Sequence, residues 1–420
     1  MPYYRNIGSV PPKRHTQHRD ERGHLYHEEL MGEEGFSSSS SLLYHRNHPS
    51  AIVGIRAWAV GDLSTVPNHP LRPLHLRLHD LDVAADADAV TGRRLVLGNA
   101  DVRLSYAVVG ATSPWYRNGI GDELAYVERG QARVETVFGA FDVREGHYVL
   151  LPRATTHRWI PVTEGQQGYV EPLRLYVVEA ASHIRPPKRF LSAYGQLLEH
   201  APYCERDFVV PTTTLLAEDI GEDPNQVTDV YLKHRGRGPG GIAGTIHTLP
   251  FHPLDVVGWD GGLYPLTLHI SDYEPITGRI HQPPPAHQVW EGDNFVVCNF
   301  VPRKVDYHPL AIPVPYVHSN VDSDEVMFYV AGDYEARKGS GIGRGSVSLH
   351  PGGHPHGPQP GAAEASIGRD YFDETAVMVD TFRPLDLGEA ALASDDGVYP
   401  YSWTGGAPLA QQADGPKGEA

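Results

Sequence analysis

The sequence predicts a mainly β protein built from two tandem copies of one small barrel, and three observations carry that prediction. Many short stretches alternate apolar and polar residues or run β-branched, among them Leu74–Leu78, Val102–Tyr106, Ala132–Val137 and Arg174–Val178. That is the signature of half-buried strands. Turn-formers are abundant, 44 Gly and 36 Pro, and they fall between these stretches. Short strands so punctuated favour a sandwich or barrel over a parallel α/β sheet. The third observation is an internal repeat.

The repeat has two blocks. Asn118, Asp122, Glu123 and Gly130 recur as Asn320, Asp324, Glu325 and Gly332, all at an offset of 202. Gly146, Pro152 and His157 recur as Gly345, Pro351 and His356, all at an offset of 199. A polar residue, a short loop, a carboxylate opening an apolar strand and then a glycine describe a hairpin whose carboxylate can point inward. Glycine, proline and histidine in the second block describe another turn that delivers an imidazole to the same interior. Such a fixed-period repeat sets the architecture.

Taken in order, residues 1–50 form a polar arm with a helix-like patch at Leu25–Leu30 and a flexible serine run at Ser37–Ser41. Residues 51–265 form an N-terminal domain, comprising the first barrel and a connection rich in Pro, Gly and Asp from Glu205 to Trp259. A short helix over Lys188–Leu198 follows the start signal Pro186-Pro187. Residues 266–385 form the second barrel. Residues 386–420 are a C-terminal tail, with disordered composition from about Thr404.

Composition narrows the function. Of the 420 residues, 52 are acidic and 35 are Lys or Arg, a formal net charge of −17. That balance argues against nucleic acid and against an anionic membrane surface. No apolar run has the length of a membrane span, and MPYYRNIGSVPPKRH lacks the apolar core of a signal peptide. Cys204 and Cys298 are the two cysteines, too few for a disulfide framework or a cysteine-rich metal site, so the cytoplasm is the expected location.

The two copies differ where chemistry would reside. The second has His318, Glu325 and His356; the first has Tyr116, Glu123 and His157. Two neutral imidazoles and a carboxylate form a facial triad that leaves positions open on Fe(II). The second barrel is therefore read as active and the first as a structural copy. Asp324 competes with Glu325, but Glu325 keeps the six-residue gap to Gly332. His350 and His354 compete with His356, which the repeat aligns with His157; both are candidates for orienting ligands or binding substrate.

The paired blocks resemble the cupin superfamily, which implies a bicupin of two jelly rolls. Further segments resemble homogentisate 1,2-dioxygenase. They are Leu25–Gly32, Ser41–Arg46, Asp255–Trp259 with Tyr264-Pro265, Gly332–Ala336, and His350 through Pro358. The resemblance implies Fe(II) held by His318, Glu325 and His356, a substrate hydrogen bond from Tyr334, and His281 as the catalytic acid/base, with His287 as its rival; His350 and His356 are read as further substrate contacts. It further implies ring opening of homogentisate by O₂ to maleylacetoacetate in tyrosine and phenylalanine catabolism. A homo-oligomer, a hexamer of two trimers, is implied as well. The alternatives are a related iron cupin acting on gentisate or another hydroquinone, a metal-dependent isomerase, and a non-enzymatic bicupin. No GxGxxG stands at a strand–helix junction, so no nicotinamide or flavin is expected; Gly339–Gly345 reads as a loop near the site.

Overall fold

Each half of the chain is organised around a sheet with the same strand order. The structure, a computed structural model, describes residues 3–162 and 171–405; the tail expected from about Thr404 lies, past residue 405, outside them. In the first half, strands His147–Leu151, Glu123–Arg129, Leu173–Ala180 and Val102–Val109 lie side by side in that order. In the second half, Ser346–His350, Asp324–Gly332, Glu374–Thr381 and Phe295–Phe300 do the same. The repeat seen in sequence is thus a repeat of topology, and the fold is all-β, a bicupin.

The motif glycines explain why the repeat is visible. Gly130 and Gly332 close equivalent hairpins with φ +81° and +89°. A Cβ there would stand 2.7 Å from Leu173 Cα in one copy and 2.0 Å from the Asp373 carbonyl oxygen in the other. Only glycine meets both the left-handed backbone and the close approach.

Before each four-stranded unit stands a strand that joins the other barrel. Leu74–Arg77 pairs with Ser346–His350 in the second sheet, and Leu266–His269 pairs with His147–Leu151 in the first. Each runs into a single helical turn, Leu78–Asp80 and Ile270–Asp272. Their sequences, LHLRLHD and LTLHISD, are a third repeat block at an offset of 192. The exchange joins the two barrels through one continuous apolar core, in which Tyr176 stacks on Phe328 at 4.6 Å between ring centres.

The opposite walls differ. In the first barrel Gly139–Arg144, Gln131–Thr136, His157–Pro161 and Trp115–Asn118 form a regular sheet. It is extended by Thr228–Arg235, Ile242–Leu249 and Gly54–Trp58, so the expected connection Glu205–Trp259 includes a hairpin of this sheet. In the second barrel, among the described residues, this wall is reduced to the His318–His356 bridge and the short pair Arg303–Lys304 with Tyr371–Phe372. Prolines 309, 313, 315, 351, 355, 358 and 360 lie in these segments, and proline has no N–H to give to a ladder.

Four local expectations differ from the structure. The helix-like patch Leu25–Leu30 enters strand His27–Gly32, and the end of the serine run enters strand Ser40–His45; both belong to a four-stranded sheet with Arg5–Gly8 and Val256–Gly261. Lys188–Leu198 keeps only a single turn, Lys188–Phe190, because the chain reverses to a Leu191–Leu197 bridge around Gly195 at φ +85°. Residues 386–404 carry strand Asp386–Leu387, helix Glu389–Ser394 and the turn Tyr399–Thr404, which packs on the second barrel. No helix among the described residues is long and apolar enough to cross a membrane.

Candidate metal centre

Glu325 opens the strand Asp324–Gly332 and points into the second barrel, 4% exposed. His318 and His356 face each other across a two-residue β-bridge, their backbones exchanging hydrogen bonds of 2.9 and 2.8 Å. One ligand atom from each of the three lies within 4.8 Å of the others. Glu325 Oε2 stands 3.4 Å from His318 Nε2 and 3.3 Å from His356 Nε2.

The ring orientations are set from behind. His318 Nδ1 donates to the Tyr316 carbonyl at 3.2 Å, and His356 Nδ1 donates to the His354 carbonyl at 3.1 Å. In both, the carbonyl lies two residues upstream, and in both the Nε2 lone pair is left facing the carboxylate. His356 Nε2 is buried without a hydrogen-bond partner. Burial opposes ionisation of Glu325, yet the side chains of His318, His350 and His356 packed around it hold its carboxyl well below the usual range. A carboxylate facing two imidazole lone pairs, one of them orphaned, is a donor set that fits a divalent transition metal.

The rivals of the triad have other partners. Asp324 spends both oxygens on backbone amides, Gly352 N and Leu385 N, each at 2.8 Å. Its repeat mate Asp122 does the same with Arg153 N and Ile184 N. His354 is exposed, and its backbone carbonyl is what holds His356. His350, expected to touch substrate, is fully buried behind the carboxylate rather than on a cavity wall. Its Nδ1 lies 3.0 Å from Glu325 Oε1, its Nε2 lies 2.9 Å from the Tyr399 hydroxyl, and its ring stacks on His356 at 4.3 Å. Burial, with Arg337 adding, pushes the His350 imidazole down to about 3, so the ring is neutral. His356, also expected to touch substrate, has a fully buried side chain within the triad.

His318 and Glu325 of the triad line a cavity of about 430 Å³, within the range of small-molecule sites. Its apolar walls are Phe300, Met327, Phe372 and Met378, and its polar side chains include His281, His287, Tyr334 and Arg337. Both acid/base candidates are therefore present. His281 has Nδ1 3.5 Å from Asp306 Oδ2. His287 is buried with Nδ1 unpartnered, and burial, Arg303 and His281 together push it down to about 3. The Tyr334 hydroxyl is buried and unpartnered. Arg337, 8% exposed, donates to the Tyr329 hydroxyl at 3.2 Å and the Gly357 carbonyl at 2.5 Å. It has no carboxylate partner among the described residues, whereas neighbouring Arg303 is paired with Glu374 at 2.8 Å. Sequence reasoning missed Arg337, Asp306 and Tyr399, since none belongs to a repeated block.

The first barrel fills the equivalent place with its own cations. Glu123 Oε1 accepts from the Tyr116 hydroxyl and Asn118 Nδ2, both at 2.8 Å, and Oε2 accepts from Arg93 at 2.8 Å. Lys233 pairs with Glu179, the counterpart of Asp380 on the neighbouring strand. His157 keeps the register of His356 but faces the edge of the Tyr116 ring.

A two-barrel cupin with a histidine–histidine–glutamate cluster on an apolar cavity has the make-up of a metal-dependent enzyme of the dioxygenase type. The family profile described as homogentisate 1,2-dioxygenase C-terminal matches residues 288–405, which span all three cluster residues. A protein of Saccharolobus solfataricus, provisionally named a dioxygenase, is 37% identical over 408 residues, 96% of this chain and 99% of its own. Homogentisate 1,2-dioxygenases of Rhodopseudomonas palustris and Emericella nidulans are 28% and 24% identical, covering 69% and 76% of this chain and 62% and 68% of theirs. The chain belongs to the homogentisate 1,2-dioxygenase family. Among solved structures, an oxalate decarboxylase of Bacillus subtilis aligns over 78% of this chain and 81% of its own, at 14% identity and a TM-score of 0.34. A cupin 2 conserved barrel domain protein of Leptotrichia buccalis aligns over 77% of this chain and 100% of its own, at 9% and 0.31.

Proposed function

We propose that this protein is an Fe(II)-dependent ring-cleaving dioxygenase that converts homogentisate and O₂ to maleylacetoacetate, a step of aromatic amino-acid catabolism. The observation that carries the reading is the cluster His318, Glu325 and His356, with its orphaned imidazole nitrogen, beside a cavity that also presents an unpaired buried arginine. Iron held by these three side chains would supply the redox chemistry that joins O₂ to the ring.

The remaining residues prepare the substrate. Homogentisate carries two ring hydroxyls and an acetate arm. A phenol has a pKa near ~10, so its proton needs an acceptor at neutral pH. His281 is that acceptor, with one ring nitrogen held toward Asp306 and the other free to exchange the proton. His287 stays neutral and serves as a hydrogen-bond acceptor toward the second hydroxyl. Tyr334 donates its unpartnered hydroxyl to the bound ring. Arg337 takes the acetate carboxylate, which gives a buried cation its counter-ion. The apolar walls exclude water around the reacting ring. The balance is one O₂ consumed per ring opened, with both oxygen atoms in the product and the proton taken by His281 returned.

O₂ uptake after anaerobic Fe(II) loading, with homogentisate and gentisate side by side, tests the reading. One O₂ per homogentisate, a ring-opened product, and loss of both in His356→Ala are expected. Uptake with gentisate alone would keep the centre and change the substrate. Absence of uptake with either, iron being bound, would refute ring cleavage of both.

A further inference from the structure

We propose that the Tyr399 hydroxyl is a positioning group for the metal carboxylate: acting through His350, it fixes Glu325 in its ligand orientation and ties metal affinity to the C-terminal segment. The inference rests on the reading of His318, Glu325 and His356 as the metal ligands.

The chain of contacts is short and buried throughout. His350 lies opposite Glu325 on the neighbouring strand. Its Nδ1 is 3.0 Å from Glu325 Oε1 and its Nε2 is 2.9 Å from Tyr399 Oη. His350 and Tyr399 are each 0% exposed and Glu325 is 4% exposed. A neutral imidazole carries one proton, and the partner of one nitrogen decides where that proton resides. The carboxylate can only accept, so the favourable arrangement has Nδ1–H donating to Glu325 and the Tyr399 hydroxyl donating to Nε2. Without the hydroxyl, Nε2 is left buried with no donor, and the carboxylate alone holds the proton on Nδ1. With the proton on Nε2, two lone pairs would face each other across 3.0 Å.

The other barrel supplies an internal comparison. There the residue opposite Glu123 is Leu151, not a histidine. Glu123 instead receives donors directly from Tyr116, Asn118 and Arg93, which occupy both oxygens. The histidine–tyrosine relay thus occurs in the barrel that carries the cluster. It occupies one oxygen, Oε1, and leaves Oε2 facing the two Nε2 atoms.

The segment that brings Tyr399 is fastened at two points. Asp396 accepts from the backbone amides of Val398 and Tyr399 and pairs with His75, on the strand exchanged from the first half, at 2.7 Å. Further on, Ser402 accepts from Gln359 at 2.9 Å and Trp403 donates to the Pro358 carbonyl at 3.2 Å, both on the turn that follows His356. The segment is therefore fastened both to the exchanged strand and to the turn that follows the ligand His356.

The test is anaerobic Fe(II) binding by competition with a chromophoric chelator, on the full chain. Tyr399→Phe keeps the ring and removes the hydroxyl. It is expected to weaken Fe(II) binding about 10-fold or more, the scale of outer-shell partners of metal ligands, with an unchanged melting temperature of the metal-free protein. His350→Gln is expected to weaken it at least as much, and the double variant no further, because Tyr399 acts through His350. Affinity within twofold of wild type for Tyr399→Phe, or additive losses in the double variant, would overturn the inference. If His356→Ala abolishes binding while Tyr399→Phe does not weaken it, the relay alone fails. If wild type binds no Fe(II), or His356→Ala binds as wild type, the ligand assignment fails and the inference with it.

Discussion

Replacing Arg337 with glutamine separates substrate recognition from packing. Among the described residues lining the cavity, Arg337 is the buried cation without a carboxylate partner; Arg303 is paired with Glu374, and Lys304 is exposed. A charge-assisted hydrogen bond contributes about 1.5–3 kcal/mol. The cavity is open at one side, so about 2 kcal/mol is the appropriate figure for its bond to a substrate carboxylate. At 1.4 kcal/mol per tenfold, that is roughly a 30-fold rise in KM for homogentisate. The same substitution disturbs the donors to Tyr329 and Gly357, a structural effect that touches every substrate alike. The assay is therefore steady-state O₂ uptake with homogentisate and with its methyl ester, on wild type and Arg337→Gln. Wild type is expected to disfavour the ester by a factor similar to the acid's loss in the variant, and the variant is expected to treat acid and ester nearly alike. Equal losses on both substrates would refute the assignment of Arg337 to the carboxylate and leave it a structural role.

Three further outcomes are expected. His356→Ala or Glu325→Gln should remove Fe(II)-dependent thermal stabilisation, which for the intact site reaches about 4 kcal/mol at a metal concentration 1,000 times Kd; a metal-dependent shift persisting in both would contradict the ligand set. Tyr116→His should restore the missing ligand type yet leave one metal per chain by elemental analysis, because Arg93 and Lys233 already neutralise Glu123 and Glu179; two metals per chain would refute that charge argument. His45 is buried; although burial opposes its protonation, hydrogen bonds to Asp255 and Glu29 raise it from 6.5 to about 9. Its contribution, on the order of 3 kcal/mol, is complete below the unfolded value near 6.5 and is lost as pH rises through about 9, so wild type should lose melting temperature across that window and His45→Asn should not; parallel profiles would rule it out.

The repeat was legible because physical constraints recur at fixed positions. A left-handed glycine closing a hairpin and an aspartate tying two loops tolerate few alternatives, so Gly130 and Gly332, and Asp122 and Asp324, survive in both copies. The choice of Glu325 over Asp324 followed from that spacing. Strand exchange was not legible, because LHLRLHD and LTLHISD read as the same strand wherever they pair, and only the third dimension assigns each to the opposite sheet. Nor were Arg93, Lys233 and Tyr399, which reach the two centres from outside the repeated blocks. His350 was found as a residue near the site, but its role depends on which way it faces, and alternation in a strand does not say what stands behind a ligand.

The two barrels answer the same electrostatic problem differently. Each buries a glutamate at the start of an apolar strand, with a second carboxylate, Glu179 or Asp380, on the neighbouring strand. Buried carboxylates need compensation. The first barrel supplies it from its own chain, through the ion pairs of Arg93 and Lys233, and needs no bound ion. Among the described residues, the second barrel has no such cation on Glu325, whose partners are His318, His350 and His356. Neutral imidazoles compensate a carboxylate incompletely, and Asp380, beside it, is pushed well above the usual carboxylate range by burial and by the Glu325 charge. The deficit of positive charge is what a bound Fe(II) would fill. On this argument metal dependence arises as much from the two cations the second barrel lacks as from the histidine it has.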